Sequence, residues 1–264
     1  MEHFLVSARK YRPLGFDEVV GQEHITTTLK NAIKSNHLGQ ALLFCGPRGV
    51  GKTTCARILA RTINEFETES GESPHNFNIF ELDAASNNSV EDVRNLIDQV
   101  RYPPQQGKYK VYIIDEVHML STQAFNAFLK TLEEPPGYAI FILATTEKHK
   151  VIPTILSRCQ IYDFNRIEVN DIVRQLEKVA ASENIQSEKE ALHLIAQRAD
   201  GALRDALSLF DLITTFSFEG KITYRETIKN LHILDYDYYF RLVNDLLAEN
   251  MSAVLMLFDE VLRN

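Results

Sequence analysis

Ala41-Leu42-Leu43-Phe44-Cys45-Gly46-Pro47-Arg48-Gly49-Val50-Gly51-Lys52-Thr53 is the stretch that decides the fold. The apolar run Ala41–Phe44 reads as a strand. It passes into the pattern G-x-x-x-x-G-K-T, and a helical pattern follows over about 53–64. A strand without polar alternation belongs in a sheet covered on both faces. The glycines let backbone N–H groups wrap a phosphate chain, and the start of the following helix favours negative charge. In such a loop the lysine neutralises the β- and γ-phosphates and the hydroxyl ligates Mg²⁺. Gly46, Gly49, Val50, Gly51, Lys52, Thr53 and Thr54 are therefore the candidate nucleotide-binding residues, with Thr53 also a candidate metal ligand.

Working outward, strand and helix patterns alternate. Further strands are expected over Phe77–Leu82, Lys110–Asp115, Ala139–Ala144 and, more weakly, Gln160–Phe164. Helices are expected at about 22–35, 89–101 and 121–133. Ser89-x-x-Asp92 fits a capping box, and Glu134-Pro135-Pro136-Gly137 stops the helix before it. The alternation implies a parallel sheet with right-handed crossovers, an α/β sandwich.

Val111-Tyr112-Ile113-Ile114-Asp115-Glu116 ends an apolar strand in two carboxylates, which would project into the crevice where open α/β sheets bind ligands. Asp115 would hold Mg²⁺, and Glu116 would orient or deprotonate an attacking water. Taken alone, the pair reads equally well as an acidic helix cap; the phosphate loop upstream decides for chemistry. Thr145-Thr146 at the next strand's end, Arg158 in Ser157-Arg158-Cys159 and Arg204 in Gly201-Ala202-Leu203-Arg204-Asp205 could each reach a phosphate. Each has an equal bland reading: a turn, a solvated arginine, and a partner for Asp205 or Glu190.

After about residue 166 no strand signal is read. Ile172, Val173, Leu176, Val179 and Ala180 mark one helical face, and Leu203, Ala206, Leu207, Phe210 and Ile213 another. Ser187-x-x-Glu190 and Thr223-x-x-Glu226 offer two more capping boxes. The stripes Tyr239, Leu242, Val243, Leu246, Leu247 and Val254, Leu257, Phe258, Val261, Leu262 look like the opening of a helical bundle, so the sequence reads as a piece of a longer protein. The expected division is 1–165 (α/β), 166–231 (small helical domain) and 232–264 (start of a further helical domain).

Composition agrees with this. The 264 residues suggest roughly two domains at about 150 each. Hydrophobic and charged contents of 45% and 24% exclude a disordered or collagen-like chain. No apolar run is long enough for a membrane span, and the start lacks a secretory pattern. Three scattered cysteines, Cys45, Cys55 and Cys159, fit reduced thiols in a cytoplasmic protein. A formal net charge of -8 disfavours a protein that grips nucleic acid alone through a basic surface.

Taken in order, Ala8-Arg9-Lys10-Tyr11-Arg12-Pro13, Phe16-x-x-Val19-Val20-Gly21-Gln22, Gly46 to Thr53, Asp115-Glu116-Val117-His118-Met119-Leu120, Leu129-Lys130-Thr131-Leu132-Glu133-Glu134-Pro135-Pro136, Leu143-Ala144-Thr145-Thr146, Ile155-Leu156-Ser157-Arg158-Cys159 and Gly201-x-Leu203-Arg204-Asp205-Ala206-Leu207-Ser208 resemble one family. It is the gamma/tau ATPase subunit family of bacterial DNA polymerase III clamp loaders, within the AAA+ class. The resemblance implies a P-loop AAA+ α/β domain, a helical lid and a collar. It implies ATP and Mg²⁺ as ligands, with Arg12, Pro13 and Val20 near the adenine. Thr146 and Arg204 would be two sensors of the phosphates, and Arg158 would complete a neighbouring subunit's site. Its implied partners are the other subunits of a five-membered ring, a sliding clamp and primer–template DNA, with no membrane. ATP binding would let the ring open the clamp, and hydrolysis would release it.

Two departures stand out. Family members often carry a four-cysteine zinc module after the phosphate-loop helix, whereas Glu65 to Asn76 holds only His75, so no structural zinc is expected. Only two helices of the collar are present, so this chain is expected to bind ATP, associate weakly or stay monomeric, and hydrolyse slowly. The competing readings are another AAA+ DNA motor, a non-catalytic clamp-loader subunit and a metabolite P-loop kinase. The intact Lys52, Thr53, Asp115 and Glu116 disfavour the second, and Glu116 with the helical lid disfavours the third.

Overall fold

The computed structural model describes residues 5–64, 78–104, 107–217, 220–231 and 236–263. A short helix α1 (Ser7–Lys10) leads to α2 (Glu23–Lys34). Then follow β1 (Ala41–Cys45), α3 (Lys52–Ile63), β2 (Ile79–Asp83), α4 (Val90–Val100), β3 (Lys110–Asp115), α5 (Thr122–Glu133), β4 (Ala139–Thr145), α6 (Pro153–Leu156) and β5 (Gln160–Asp163). The expected strands are present with ends shifted by a residue or two; Phe77 lies outside the described residues. Ser89 caps α4 in the reciprocal capping box with Asp92, and α5 ends at Glu133, ahead of the two prolines.

The sheet order is β2-β3-β4-β1-β5 and every pairing is parallel. Side chains alternate across it with the period of two that a strand imposes. Leu42 and Phe44 of β1, Val111 and Ile113 of β3, and Ile140 and Ile142 of β4 pack with Ile25 and Leu29 of α2 and Ala56 and Leu59 of α3. The intervening Leu43, Tyr112, Ile114, Phe141 and Leu143 pack with Val93 and Leu96 of α4 and Phe125 and Phe128 of α5. On this second face Phe80 stacks on Tyr112, Tyr112 on Phe141, and Phe128 meets Phe141 edge-on. Burial on both faces explains why these strands read as continuous apolar runs.

Beyond β5 come α7 (Val169–Ser182), β6 (Gln186–Ser187), α8 (Lys189–Arg198), α9 (Leu203–Phe216), β7 (Lys221–Ile222) and α10 (Tyr224–Asn230). The two apolar faces read from the sequence share one core. Two expectations are corrected here. Strand structure does not end near 166, because β6 and β7 form a two-residue parallel pair too short to leave a periodic signal. Nor does Ser187 cap α8. It is held in that pair, so the helix begins later, behind Glu188, whose own side chain makes no cap. Instead the Glu188 carboxylate accepts from the Tyr224 backbone N–H at 2.8 Å. Thr223 does cap α10, accepting from the Glu226 N–H. Finally α11 (Tyr236–Leu247) and α12 (Met251–Arg263) pack on each other. Val254 and Leu257 are buried, while Val243, Leu246, Leu247 and Phe258 are exposed. Among the described residues no helix is long and apolar enough to cross a membrane.

Candidate nucleotide-binding site

Strand order assembles the site. Because β4 lies between β1 and β3, the C-terminal ends of these three strands are neighbours. They deliver the phosphate loop, Thr145-Thr146 and Asp115-Glu116 to one edge of the sheet, where open α/β folds bind their ligands. The loop that follows β1 needs glycine at its first position. At Gly46 φ is +145°, and a Cβ there would lie 2.4 Å from the Phe164 carbonyl oxygen.

Lys52 is buried at the start of α3, and its Nζ donates to the carbonyls of Gly46 (2.8 Å) and Pro47 (2.7 Å). Burial lowers its pKa, with Glu116 and Asp115 pulling the other way. An ammonium held by loop carbonyls is positioned for a stronger anionic partner. Next to it the Thr53 hydroxyl donates to Asp115 Oδ2 at 2.6 Å. A hydroxyl and a carboxylate in direct contact are hard oxygen donors close enough to share one small ion, so they fit Mg²⁺.

Glu116 sits in the left-handed region (φ +48°), an uncommon place for a side chain and a form of strain often found at functional sites. Its backbone N–H donates to Asp115 Oδ1. Its Oε2 accepts from both the N–H (3.2 Å) and the hydroxyl (2.9 Å) of Thr146.

A cleft runs from this edge to the helical region beyond β5. It is lined by Arg12, Pro13, Val20, Gly49, Val50, Gly51, Lys52, Thr53, Thr54, Asp115, Glu116 and Arg204 from among the expected residues. Gly46 joins them through its bond to Lys52. The cleft closes where the Arg204 backbone N–H donates to the Gly49 carbonyl at 3.4 Å. Sequence reasoning left Tyr11, Val19, Arg48, Ile167, Leu203 and Leu207 unassigned, yet they also line it. Leu203 and Leu207 read from their spacing as a core face and belong to the motif around Arg204, and Arg48 occupies an unspecified position of the loop pattern.

The N-terminal wall is fastened to the helical region. Ser7 donates through its N–H and its hydroxyl to the Asp211 carboxylate on α9. Lys10 Nζ and Tyr11 OH both donate to Glu183 Oε1, each at 2.6 Å. Gln22, fully buried, donates to the Asn165 carbonyl (2.7 Å) at the exit from β5.

Arg158 does not line the cleft. It pairs with Glu133 at 2.6 Å and donates to the Thr154 carbonyl. Burial pushes the Cys45 thiol up to about 11 and those of Cys55 and Cys159 up to about 12, which disfavours the thiolate at neutral pH. Among the described residues no three His, Cys, Asp or Glu side chains gather as a metal cluster. The stretch Glu65 to Asn76, where no zinc module is expected, lies outside the described residues.

Comparison with known proteins places this geometry in context. Residues 21–168 match the family model described as DNA polymerase III, delta subunit, and residues 171–214 match the DNA polymerase III clamp loader subunit, ATPase lid domain. The chain is 45% identical to DNA polymerase III subunit tau of Bacillus subtilis over 97% of its length and 47% of that relative. To subunit tau of Escherichia coli it is 43% identical, covering 42% of that relative. To subunit gamma of Buchnera aphidicola it is 39% identical over 97% of this chain and 72% of that relative. The chain thus spans less than half the length of the two tau relatives. Among solved structures, RuvB of Thermotoga maritima shares the fold, with a TM-score of 0.65 at 22% identity over 89% of this chain and 79% of that one.

Proposed function

Because the chain belongs to the family of DNA polymerase III gamma and tau subunits, we propose that it is the ATP-binding and ATP-hydrolysing part of a clamp-loader subunit. One observation carries this reading. The phosphate-loop lysine, the Thr53–Asp115 pair and the Thr146-held Glu116 meet at one sheet edge, under a lid that touches the loop.

In this reading residues 1–165 bind ATP, 166–231 form the lid and 232–264 begin the collar. The adenine lies against Arg12, Pro13 and Val20. Backbone N–H groups of Gly49 to Thr54 and the Lys52 ammonium hold the phosphates, and Lys52 exchanges the loop carbonyls for phosphate oxygens. Thr53 and Asp115 hold Mg²⁺, which when bound neutralises charge on the phosphate oxygens. Glu116 takes a proton from water as its oxygen bonds to the γ-phosphorus and the bond to the ADP oxygen breaks, yielding ADP and phosphate. Thr146 orients Glu116, and Arg204 reports the γ-phosphate to the lid. Arg158, which pairs with Glu133 and does not line this cleft, serves the site of a neighbouring subunit in a five-membered ring.

The acidic balance fits a protein that contacts primer–template DNA and the sliding clamp only within that ring, in the cytoplasm. Its own affinity for DNA is then weak and strongly salt-dependent. The test is ATP hydrolysis by the full-length chain assembled with its partner subunits, with and without clamp and primed DNA. Stimulation by both supports the proposal; indifference to both refutes it.

A further inference from the structure

His118 has no part in the reading above, yet its side chain is only 6% exposed beside the cleft. It lies in the 3-10 turn Val117–Met119 that directly follows Glu116. Its Nδ1 is 3.0 Å from Thr145 Oγ1 and 3.4 Å from Glu116 Oε2, and its Nε2 is 3.1 Å from Glu147 Oε2.

Each ring nitrogen has a partner among the surrounding groups. Thr145 Oγ1 accepts from the Glu147 backbone N–H at 3.0 Å and has its own proton to offer Nδ1. Nε2–H then donates to Glu147, whose carboxylate also receives Lys150 Nζ at 2.7 Å. Assigning the ring proton to Nε2 lets Lys150, Glu147, His118 and Thr145 form one hydrogen-bonded series. Thr145 and Glu147 flank Thr146, the residue whose N–H and hydroxyl both reach Glu116. The imidazole therefore pins the chain on each side of the group that holds Glu116.

We propose that His118 is a positioning residue for ATP hydrolysis: by bridging Thr145 and Glu147 it fixes Thr146, and through Thr146 the orientation of Glu116. This rests on the reading of Glu116 as the base and Thr146 as its partner. None of the bonds in the series involves Lys52 or Thr53, so the effect falls on turnover and leaves nucleotide affinity alone. Removing the ring strands the Thr145 hydroxyl and slackens the turn, and small displacements of a catalytic group are costly to rate.

The test uses the full-length chain assembled with its partner subunits, measuring kcat, calorimetric Kd for ATP, and amide hydrogen exchange over 144–148. His118→Ala should lower kcat by about 10- to 100-fold, leave Kd within about twofold and speed exchange at Thr146. His118→Gln, which keeps an N–H near the Nε2 position, should recover most of the loss. In a Thr146→Ala background, His118→Ala should cost less than about twofold more. Glu147→Gln, a partly exposed change, should lower kcat several-fold and decides the matter if the alanine variant does not fold. Unchanged kcat in His118→Ala, a full additional loss in the Thr146→Ala background, or a Kd that rises in step with the kcat loss overturns the proposal. A wild-type assembly that neither binds nor hydrolyses ATP overturns the parent reading instead, so the two failures are distinct.

Discussion

Two alanine substitutions in the same loop should differ sharply in cost. At Gly46 an added Cβ would sit 2.4 Å from the Phe164 carbonyl oxygen and 2.9 Å from the Phe164 Cβ. That carbonyl cannot withdraw freely: the Phe164 N–H donates to the Cys45 carbonyl at 2.7 Å, and the Phe164 ring packs on Phe44 with centroids 5.3 Å apart. Relief would loosen the β1–β5 pair where it launches the phosphate loop. Overpacking costs about 1–3 kcal/mol and the strained backbone about 1–3 more, together about 2–6 kcal/mol. Set against about 5–15 kcal/mol for a whole domain, this is a large fraction. Gly51 also has a positive φ (+104°), but nothing lies within 4 Å of its added Cβ. Gly51→Ala therefore incurs only the backbone cost, about 1–3 kcal/mol. Urea unfolding without nucleotide, read from midpoint shifts at constant slope, measures both. If Gly46→Ala proves no more destabilising than Gly51→Ala, the clash with Phe164 does not constrain the loop and the reasoning fails.

Other outcomes follow from the same geometry. Lys52→Ala should abolish ATP binding by calorimetry, whereas Arg158→Ala should leave binding intact and reduce hydrolysis only within an assembly; loss of binding in the latter would contradict a role in a neighbour's site. Phe128→Ala empties a fully buried position against Phe141 and should cost about 3–5 kcal/mol in the same unfolding assay. The bonds from Lys10 and Tyr11 hold the Glu183 carboxyl below its ordinary 4.5. Its fastening of the N-terminal wall is therefore complete above that value and lost as pH falls through the lowered one. Amide protection over residues 6–12, taken as the exchange rate relative to the intrinsic rate at each pH, should fall on going from about pH 6 to about pH 3 in the wild type, and be weaker than wild type already at about pH 6 in Glu183→Gln.

Much of this was legible because the signals are local. A phosphate loop needs its glycines, lysine and hydroxyl at fixed spacing, and strands buried on both faces must be apolar throughout. Hence Gly46 to Thr53, Asp115-Glu116 and the central strands β1, β3 and β4 could be read directly. What escaped depends on neighbours distant in the chain. β6 and β7 exist only because residues 186–187 and 221–222 meet, and that meeting also takes Ser187 away from the helix it was expected to cap. Tyr11 and Leu207 face one cleft because the N-terminal wall is fastened to Glu183, just past α7, and to Asp211 of α9.

The residue types of this chain, with their order and spacing, determined an α/β nucleotide-binding unit followed by helices, since backbone geometry and side-chain chemistry over a few residues suffice for that. Tertiary structure decided which pieces meet: that β4 falls between β1 and β3, so that Thr146 can hold Glu116, and that a histidine inside a familiar motif closes a hydrogen-bonded series with Thr145 and Glu147. Those contacts form only once the sheet order is set, because the groups involved are 27 to 30 positions apart in the chain yet within hydrogen-bonding distance in space.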